Sequence, residues 1–302
     1  MACEQYIQPD TLKELVTGLA KMTSDSVILA GGTDLIIKLR SRHMNPDCML
    51  SLCRVPELKS ISESGGYLRI GAMETHDNIA NNTLVRKECK ALAMACSHVG
   101  SQQVRNKGTI GGSLGNASVA GDMLPVLVLF HGLVEILDSA GKTRKVDAQE
   151  FTLGIGRTIL QPQEVIMAVW LPLQSHRESC FIKLGGRREV TIAEISLAFS
   201  WERSGQHFHK IEGVLGAVDT KPIYLQEVDE ILEDRKVGKY EMDLLADSLS
   251  KRIRAIRENR KRQPRLRIQE CEKVYKERAV KGIVYDALEI MMRKTDKKSK
   301  NI

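Results

Sequence analysis

The chain has 302 residues, a net charge of +7, 42% hydrophobic residues and 27% charged residues, values that are ordinary for a globular protein with two domains. No apolar run reaches the length of a membrane span, and the N-terminus lacks the basic and apolar pattern of a signal peptide, so we expect a cytoplasmic protein. The seven cysteines are scattered and form no C-x-x-C pair, which favours reduced thiols over a zinc or iron–sulfur site.

Helical spacing and short apolar runs predict a small first lobe at about residues 1–55. Its first strand runs into Gly31 and Gly32, which indicates a glycine turn between a strand and a helix. The predicted elements, in chain order, are a helix over 11–21, a strand over 27–30, a helix that begins at Asp34 and a strand over 49–52.

A second predicted lobe extends over 56–174. Thr75 has the side chain of a helix N-cap, and Gly100 is a suitable stop for the helix before it. Pro172 ends the last strand and begins a linker. The predicted elements are a strand over 68–72, one amphipathic helix over 84–99, a helix over 122–130 and strands over 133–137 and 165–171.

The rest of the chain, 175–302, predicts an α+β domain in which helices pack on one face of an antiparallel sheet. Helix formers dominate from Glu227, and an apolar stripe follows the helical period between Val280 and Met291. The C-terminus predicts a disordered basic tail. The predicted strands cover 181–184, 195–201 and 211–218.

Basic residues are concentrated between 251 and 267, where nine Lys or Arg accompany one Glu. A nucleic-acid site is one interpretation of such a run. The segment contains no aromatic residue that would stack on bases, so a solvated helix face that also contacts an acidic partner subunit is favoured.

The segment 105–125, RNKGTIGGSLGNASVAGDMLP, has five glycines among small hydroxyl and amide residues. Glycine lets the backbone approach a ligand closely, and amides that converge on one point bind anions. A second glycine turn, AGGTD at 30–34, lies far upstream. Neither AGGTD nor TIGG contains Lys or Arg, so backbone amides are expected to bind the pyrophosphate of a nucleotide cofactor. The other interpretation is that both are connecting turns.

A dinucleotide-binding G-x-G-x-x-G fingerprint does not fit, because the adjacent Gly111 and Gly112 break its spacing. The histidines show no metal-ligand spacing except His207-x-His209, and a pair without a third ligand favours an ordinary surface. No metal site is therefore expected in this chain.

Four segments together resemble the flavoprotein subunit of molybdenum hydroxylases, the family that includes xanthine, carbon monoxide and nicotinate dehydrogenases. The resemblance covers about residues 5–290. The segments are VILAGGTDLIIKLR, GYLRIGAMETHDNI, RNKGTIGGSLGNASVAGDMLP and FIKLGGRREVTIAEISLAFSW.

The resemblance implies a two-lobed PCMH-type FAD-binding domain at 1–174, followed by a C-terminal flavoprotein domain at 175–302. Relatives with covalently attached flavin use a histidine or cysteine in the first glycine turn, and AGGTD has neither, so FAD should be noncovalent. The implied cofactor-binding residues are Leu29, Ala30, Gly31, Gly32, Thr33, Asp34, Leu35, Val99, Gly100, Gly108, Thr109, Gly111, Gly112, Ser113, Asn116, Asp122, Val165, Ile166 and Lys183.

Some of these residues have an implied role. Asp122 suits a ribose hydroxyl better than a phosphate, and its other interpretation, a cap of the helix that follows, is compatible with that role. Val165 and Ile166 would flank the isoalloxazine or adenine. Lys183 would stabilise the anionic reduced flavin, its other interpretation being an exposed sheet lysine. The family usually has asparagine at the position of Ser113, which leaves that contact open.

A loop that begins Arg187-Arg188-Glu189 covers or flanks the flavin in relatives, although its arginines could be ordinary surface charge. No catalytic acid–base pair is evident, and the chain lacks the cysteines of a [2Fe–2S] subunit and the length for a molybdopterin subunit.

The resemblance implies an electron-transfer subunit that passes electrons from iron–sulfur clusters through FAD to NAD+ or another acceptor. The [2Fe–2S] clusters and molybdopterin would belong to a small and a large partner subunit, and a dimer of heterotrimers is compatible with this. The alternatives are a free-standing flavin oxidase or reductase of the same fold, and a non-catalytic flavin-binding assembly subunit.

Overall fold

The computed structural model describes residues 3–187, 190–205, 207–261 and 270–293. Within that part of the chain, no helix combines the length and the apolar character needed to cross a lipid bilayer. The described residues form three sheets of three, five and four strands and one additional two-stranded hairpin.

The first lobe is a three-stranded parallel sheet with strand order β1-β3-β2. Leu15 and Leu50 are fully buried and share one core with Leu137, Val165 and Met167 of the second lobe, so the two lobes pack against each other. The predicted strand–turn–helix unit is confirmed. The elements are β1 (Gln5–Ile7), α1 (Leu12–Leu19), β2 (Val27–Leu29), α2 (Leu35–Ser41) and β3 (Cys48–Ser51).

The second lobe is a five-stranded antiparallel sheet with helices on its inner face. The predicted N-cap is confirmed, because the Thr75 hydroxyl accepts from the Asn78 amide at 3.2 Å. The elements begin with a 3-10 turn (Pro56–Leu58) and continue with β4 (Ile61–Ser64), β5 (Tyr67–Gly71), α3 (His76–Asn81), α4 (Thr83–Glu88), α5 (Lys90–Ser97), α6 (Gln102–Arg105), α7 (Ile110–Asn116), α8 (Met123–Leu129), β6 (Leu133–Asp138), β7 (Thr143–Asp147), α9 (Ala148–Phe151), β8 (Thr152–Gly154), β9 (Arg157–Thr158) and β10 (Glu164–Pro172).

The prediction of one helix over 84–99 is wrong. Cys89 has an extended φ of −148°, which separates α4 from α5. A second cap explains the break: the Asn82 side chain accepts from the amides of Leu84 and Val85 and begins α4 independently. The apolar spacing continues across Cys89, so periodicity alone did not reveal the interruption.

The C-terminal domain is a four-stranded antiparallel sheet with strand order β11-β12-β13-β14. Its own helices cover one face, where Leu197 and Phe199 are buried. Its other face is also buried, because Ala198 and Val214 share the core of α8 in the second lobe. The elements are β11 (Glu178–Gly185), β12 (Ala193–Ser204), β13 (His207–Gly216), β14 (Ile223–Tyr224), α10 (Gln226–Leu232), α11 (Lys239–Lys261) and α12 (Glu270–Met292).

Three arginines in the described part of the basic segment 251–267 are paired within the chain. Arg252 contacts Glu227 at 2.5 Å, and both Arg254 and Arg257 contact Glu277, whose side chain is only 6% exposed. This arrangement supports the interpretation as a helix face. The rest of the segment, 262–269, and the predicted tail, 294–302, lie outside the described residues.

Candidate functional site

A cavity of about 360 Å³ lies between the first and second lobes. Both glycine motifs border it, together with one end of β10. The lining residues are Met22, Ser26, Val27, Ile28, Ala30, Gly31, Gly32, Thr33, Asp34, Leu35, Lys38, Leu52, Ala72, Thr109, Gly111, Gly112, Ser113, Gly115, Asn116, Leu160, Gln161, Pro162, Glu164, Val165 and Ile166.

The first glycine turn requires glycine for two different reasons. A Cβ on Gly31 would lie 1.9 Å from the Lys107 carbonyl oxygen, so the backbones of the two motifs are in direct contact there. Gly32 has a φ of +74°, a left-handed conformation that other residues adopt with strain. The two glycine motifs, distant in the sequence, therefore meet at Gly31, where a larger residue would not fit.

The backbone amides of the first turn have no acceptor within the described chain. This holds for Gly31, Gly32, Thr33 and Asp34, which lie between β2 and α2. Because strong donors that line a cavity need a partner, these four amides can bind an anionic or carbonyl acceptor.

The second glycine motif differs from its prediction as a loop with converging amides. Residues Ile110–Asn116 form α7, with the Thr109 hydroxyl capping Gly112 at 3.1 Å. The Gly111 amide donates to the Ala72 carbonyl at 2.9 Å, and the Ser113 amide donates to Thr109. These amides are already used, so this motif presents the small side chains on one face of α7 to the cavity.

Lys38 is a site residue that the sequence analysis missed. It lies on α2, one turn after Asp34, and its ammonium group donates to the side-chain oxygen of Asn116 on α7. It is the only cation among the described residues that line the cavity, and its bond joins the two lobes. The spacing Asp34-x-x-x-Lys38 was the available signal, because i and i+4 share a helix face.

A buried histidine supports the second motif. His76 is 1% exposed, and its Nε2 lies 3.0 Å from the Ser113 hydroxyl. Burial, with a smaller effect of the Arg105 charge, lowers the pKa of His76 to about 4, so the ring is neutral near pH 7. No local sequence pattern identifies His76 as part of the site.

Asp122 and Lys183 lie outside the cavity lining and form a buried ion pair at 2.7 Å. Lys183 also donates to the His98 carbonyl at 3.1 Å. Burial raises the pKa of Asp122 to about 6, although the Lys183 charge opposes that shift. Lys183 is 6% exposed, so its interpretation as an exposed sheet lysine is wrong, and Asp122 makes no side-chain cap.

Thirteen of the nineteen predicted site residues therefore line the cavity, and six do not. The predicted flavin-covering loop that begins at Arg187 cannot be placed relative to the cavity, because Arg188 and Glu189 lie beyond the described residues. The six are Leu29, Val99, Gly100, Gly108, Asp122 and Lys183.

One group of three metal-type ligand atoms occurs among the described residues, formed by His209, Glu233 and Asp234. The Glu233 carboxylate accepts from the amides of Lys210 and Ile211 at 2.8 and 3.1 Å, and Asp234 contacts His209. Hydrogen bonds and an ion pair within the chain thus account for this partly exposed group.

Comparison with known proteins agrees with this geometry. The family described as the FAD binding domain in molybdopterin dehydrogenase matches residues 2–174. The nicotinate dehydrogenase FAD-subunit of Eubacterium barkeri is 32% identical over 76% of this chain and 79% of that protein. The glyceraldehyde dehydrogenase medium chain of Sulfolobus acidocaldarius is 30% identical over 82% of this chain and 85% of that protein.

A solved structure gives the same result. Quinoline 2-oxidoreductase from Pseudomonas putida 86 superposes with a TM-score of 0.83 and 27% identity, covering 97% of this chain and 99% of that chain. The family match extends over more than half of the chain and includes both glycine motifs and the cavity between the lobes. The chain belongs to the family of FAD-binding subunits of molybdopterin-dependent dehydrogenases and is an oxidoreductase subunit.

Proposed function

We propose that this chain binds FAD noncovalently in the cavity between the two lobes, with the pyrophosphate at the first glycine turn. The observation that carries the proposal is the set of four amides without an acceptor, at Gly31, Gly32, Thr33 and Asp34. A pyrophosphate has four non-bridging oxygens that share two negative charges, so it can accept hydrogen bonds from all four amides.

Lys38 adds the positive charge that the glycine turns lack. Its ammonium group has three donors, and the bond to Asn116 uses one of them. The second motif contributes the Ser113 hydroxyl and the Asn116 amide rather than backbone amides. Among the residues that the structure describes, the cavity therefore combines a donor-rich end with a single cation.

The other lining residues suit the uncharged parts of the cofactor. Ile28, Leu52, Val165 and Ile166 supply apolar surface for a flat ring. The Asp34 carboxylate is suited to accept from a ribose or ribityl hydroxyl. No histidine or cysteine lines the cavity among the described residues, which supports noncovalent binding.

The predicted contacts of Asp122 with a ribose hydroxyl and of Lys183 with the flavin also remain proposals. In their favour, the Asp122 Oδ1 atom is buried without a hydrogen-bond partner, so this ion pair retains bonding capacity. FAD, when bound, supplies redox chemistry that accepts single electrons and releases a hydride.

We also propose that the chain transfers electrons from an iron–sulfur subunit through FAD to NAD+ or another acceptor. The relatives support this, since they are named as FAD-subunits and medium chains of dehydrogenases. In this proposal, partner subunits hold the [2Fe–2S] clusters and the molybdopterin. The division at 174/175 and the cytoplasmic location expected from the sequence likewise remain predictions.

Flavin release from the purified chain tests the binding proposal. Acid precipitation should leave FAD in the supernatant, whereas FMN, colour in the pellet or the absence of flavin would contradict it. Lys38→Met should weaken FAD binding about tenfold or more, because it removes a charge-assisted bond. The matched control is Lys13→Met, which removes an exposed lysine on α1 and should leave FAD affinity unchanged.

A further inference from the structure

We infer that His76 is a positioning residue, which orients the Ser113 hydroxyl so that this hydroxyl donates a hydrogen bond to the bound cofactor. The inference rests on the proposed FAD site, since Ser113 lines that cavity and His76 does not. It assigns a contact at a position that the sequence left open.

The imidazole of His76 is fixed by the backbone around it. The His76 amide donates to the Gly108 carbonyl at 3.0 Å, and Thr75 forms a β-bridge with Thr109. A Cβ on Gly108 would lie 3.1 Å from the His76 ring, so glycine at that position leaves the space the ring occupies. Helix α3 and the second glycine motif therefore place the ring behind Ser113.

The hydrogen bond between His76 and Ser113 can run in either direction. If Ser113 donates to Nε2, the ring proton is on Nδ1, and Nδ1 is buried without a partner. If Nε2–H donates to Ser113, the unpartnered Nδ1 is only a lone pair. Buried N–H groups without an acceptor are rarer than unsatisfied acceptors, so the second direction is favoured.

This direction determines what Ser113 can do. A hydroxyl has one proton and two lone pairs, and His76 occupies a lone pair. The Ser113 proton has no acceptor among the described residues. It is free to point into the cavity, where an acceptor oxygen of the cofactor would bind it.

The ring tautomer gives a direct test. Long-range ¹H–¹⁵N correlation spectra of the full chain, with ring-labelled histidine and His76→Gln for assignment, should show a neutral His76 with its proton on Nε2. A proton on Nδ1, or a doubly protonated ring near pH 7, would overturn the inference.

FAD affinity gives an independent test. Ser113→Ala and His76→Phe should each weaken binding about tenfold, and the double variant should be no weaker than Ser113→Ala alone. His76→Gln, whose amide can donate in place of Nε2–H, should restore most of the affinity. Thermal unfolding of each flavin-free variant identifies any that does not fold.

The outcomes separate the two proposals. If the parent chain binds FAD and Ser113→Ala binds it equally well, the role of His76 is refuted and the FAD site stands. If the parent chain binds no FAD, the proposed function itself fails. If the losses of affinity from the two single substitutions add in the double variant, His76 affects FAD binding independently of Ser113 and the inference is wrong.

Discussion

Individual side chains set the charge of the cavity between the lobes. Asp34, Lys38 and Glu164 are its charged lining residues, and Glu164 is already paired with Arg144 at 3.0 Å. The remaining balance of one acid and one base leaves the backbone amides as the main attraction for an anion. Lys38 is the one cation among the described lining residues, so its loss should change the charge of the cavity more than the loss of a surface lysine would.

The low pKa of His76 predicts that the stability of the protein depends on pH. Its pKa is about 4 in the folded chain and near 6.5 when unfolded, so only the unfolded state gains a proton between these values. The contribution of His76 to stability should therefore fall as the pH drops from 6.5 to 4, by roughly 2–3 kcal/mol at pH 4.5. Arg105 is the charged neighbour that contributes to this shift.

Urea unfolding of the flavin-free protein at pH 7 and pH 4.5 measures this loss. The loss should be smaller in His76→Gln by about that amount, while the exposed His207→Gln should behave like the parent. An equal loss in the parent and in His76→Gln would show that this ring does not carry the effect.

At the level of secondary-structure elements, the role of the first glycine turn in FAD binding can be tested by comparing Gly32 with a glycine of similar φ elsewhere. Gly66 in the β4–β5 turn has a φ of +80°, close to that of Gly32, and a Cβ there meets nothing within 4 Å. Gly32→Ala and Gly66→Ala should each cost about 1–2 kcal/mol of stability. Only Gly32→Ala should weaken FAD binding, as measured by titration of the flavin-free protein.

Equal FAD affinity in the two alanine variants would mean that the first turn only connects β2 to α2. Gly111 is less suitable for this test, because a Cβ there would lie 2.7 Å from the Ala72 Cβ. Gly111→Val would disturb the packing of α7 against the sheet, so lost flavin could not be separated from lost structure.

Local sequence patterns predicted most of the elements but not all of their boundaries. The strand before Gly31 and the long apolar strand β10 were both found, because alternation and turn residues are local signals. The helix α7 was missed, since three glycines between 110 and 116 disfavour a helix. The Thr109 cap and the bonds from α7 to Ala72 and Glu74 outweigh that preference.

The sequence predicts the parts of the site that lie within one continuous motif, and not the contacts between distant segments. The two glycine motifs are visible in the sequence, and both border the cavity. The pairing of Lys38 with Asn116 and of His76 with Ser113 depends on how distant segments meet, so no local pattern reveals it. The use of the Ile110 and Gly111 amides by the neighbouring strand end was hidden for the same reason.

At the scale of the whole molecule, the C-terminal sheet lies between its own helices and α8 of the second lobe. The contact is close, because a Cβ on Gly216 would lie 2.5 Å from the Pro125 ring. The two proposed domains thus share a core instead of meeting at a polar surface.

A chain cut after residue 174 should therefore fold poorly on its own. It would expose the apolar face of α8 that Ala198 and Val214 cover. We expect this fragment to aggregate and to bind a hydrophobic dye, as measured by size-exclusion chromatography and fluorescence. The control chain ending at Arg293 should resemble the full protein. A monomeric fragment 1–174 that unfolds cooperatively would contradict the shared core.

The shared core also has a consequence during synthesis. The ribosome makes α8 before it makes β13, which ends at Gly216. At about 5–20 residues per second, the interval between them lasts on the order of several seconds. Throughout that interval the apolar face of α8 lacks the cover of Ala198 and Val214, so we expect chaperones that bind apolar segments to protect the nascent chain.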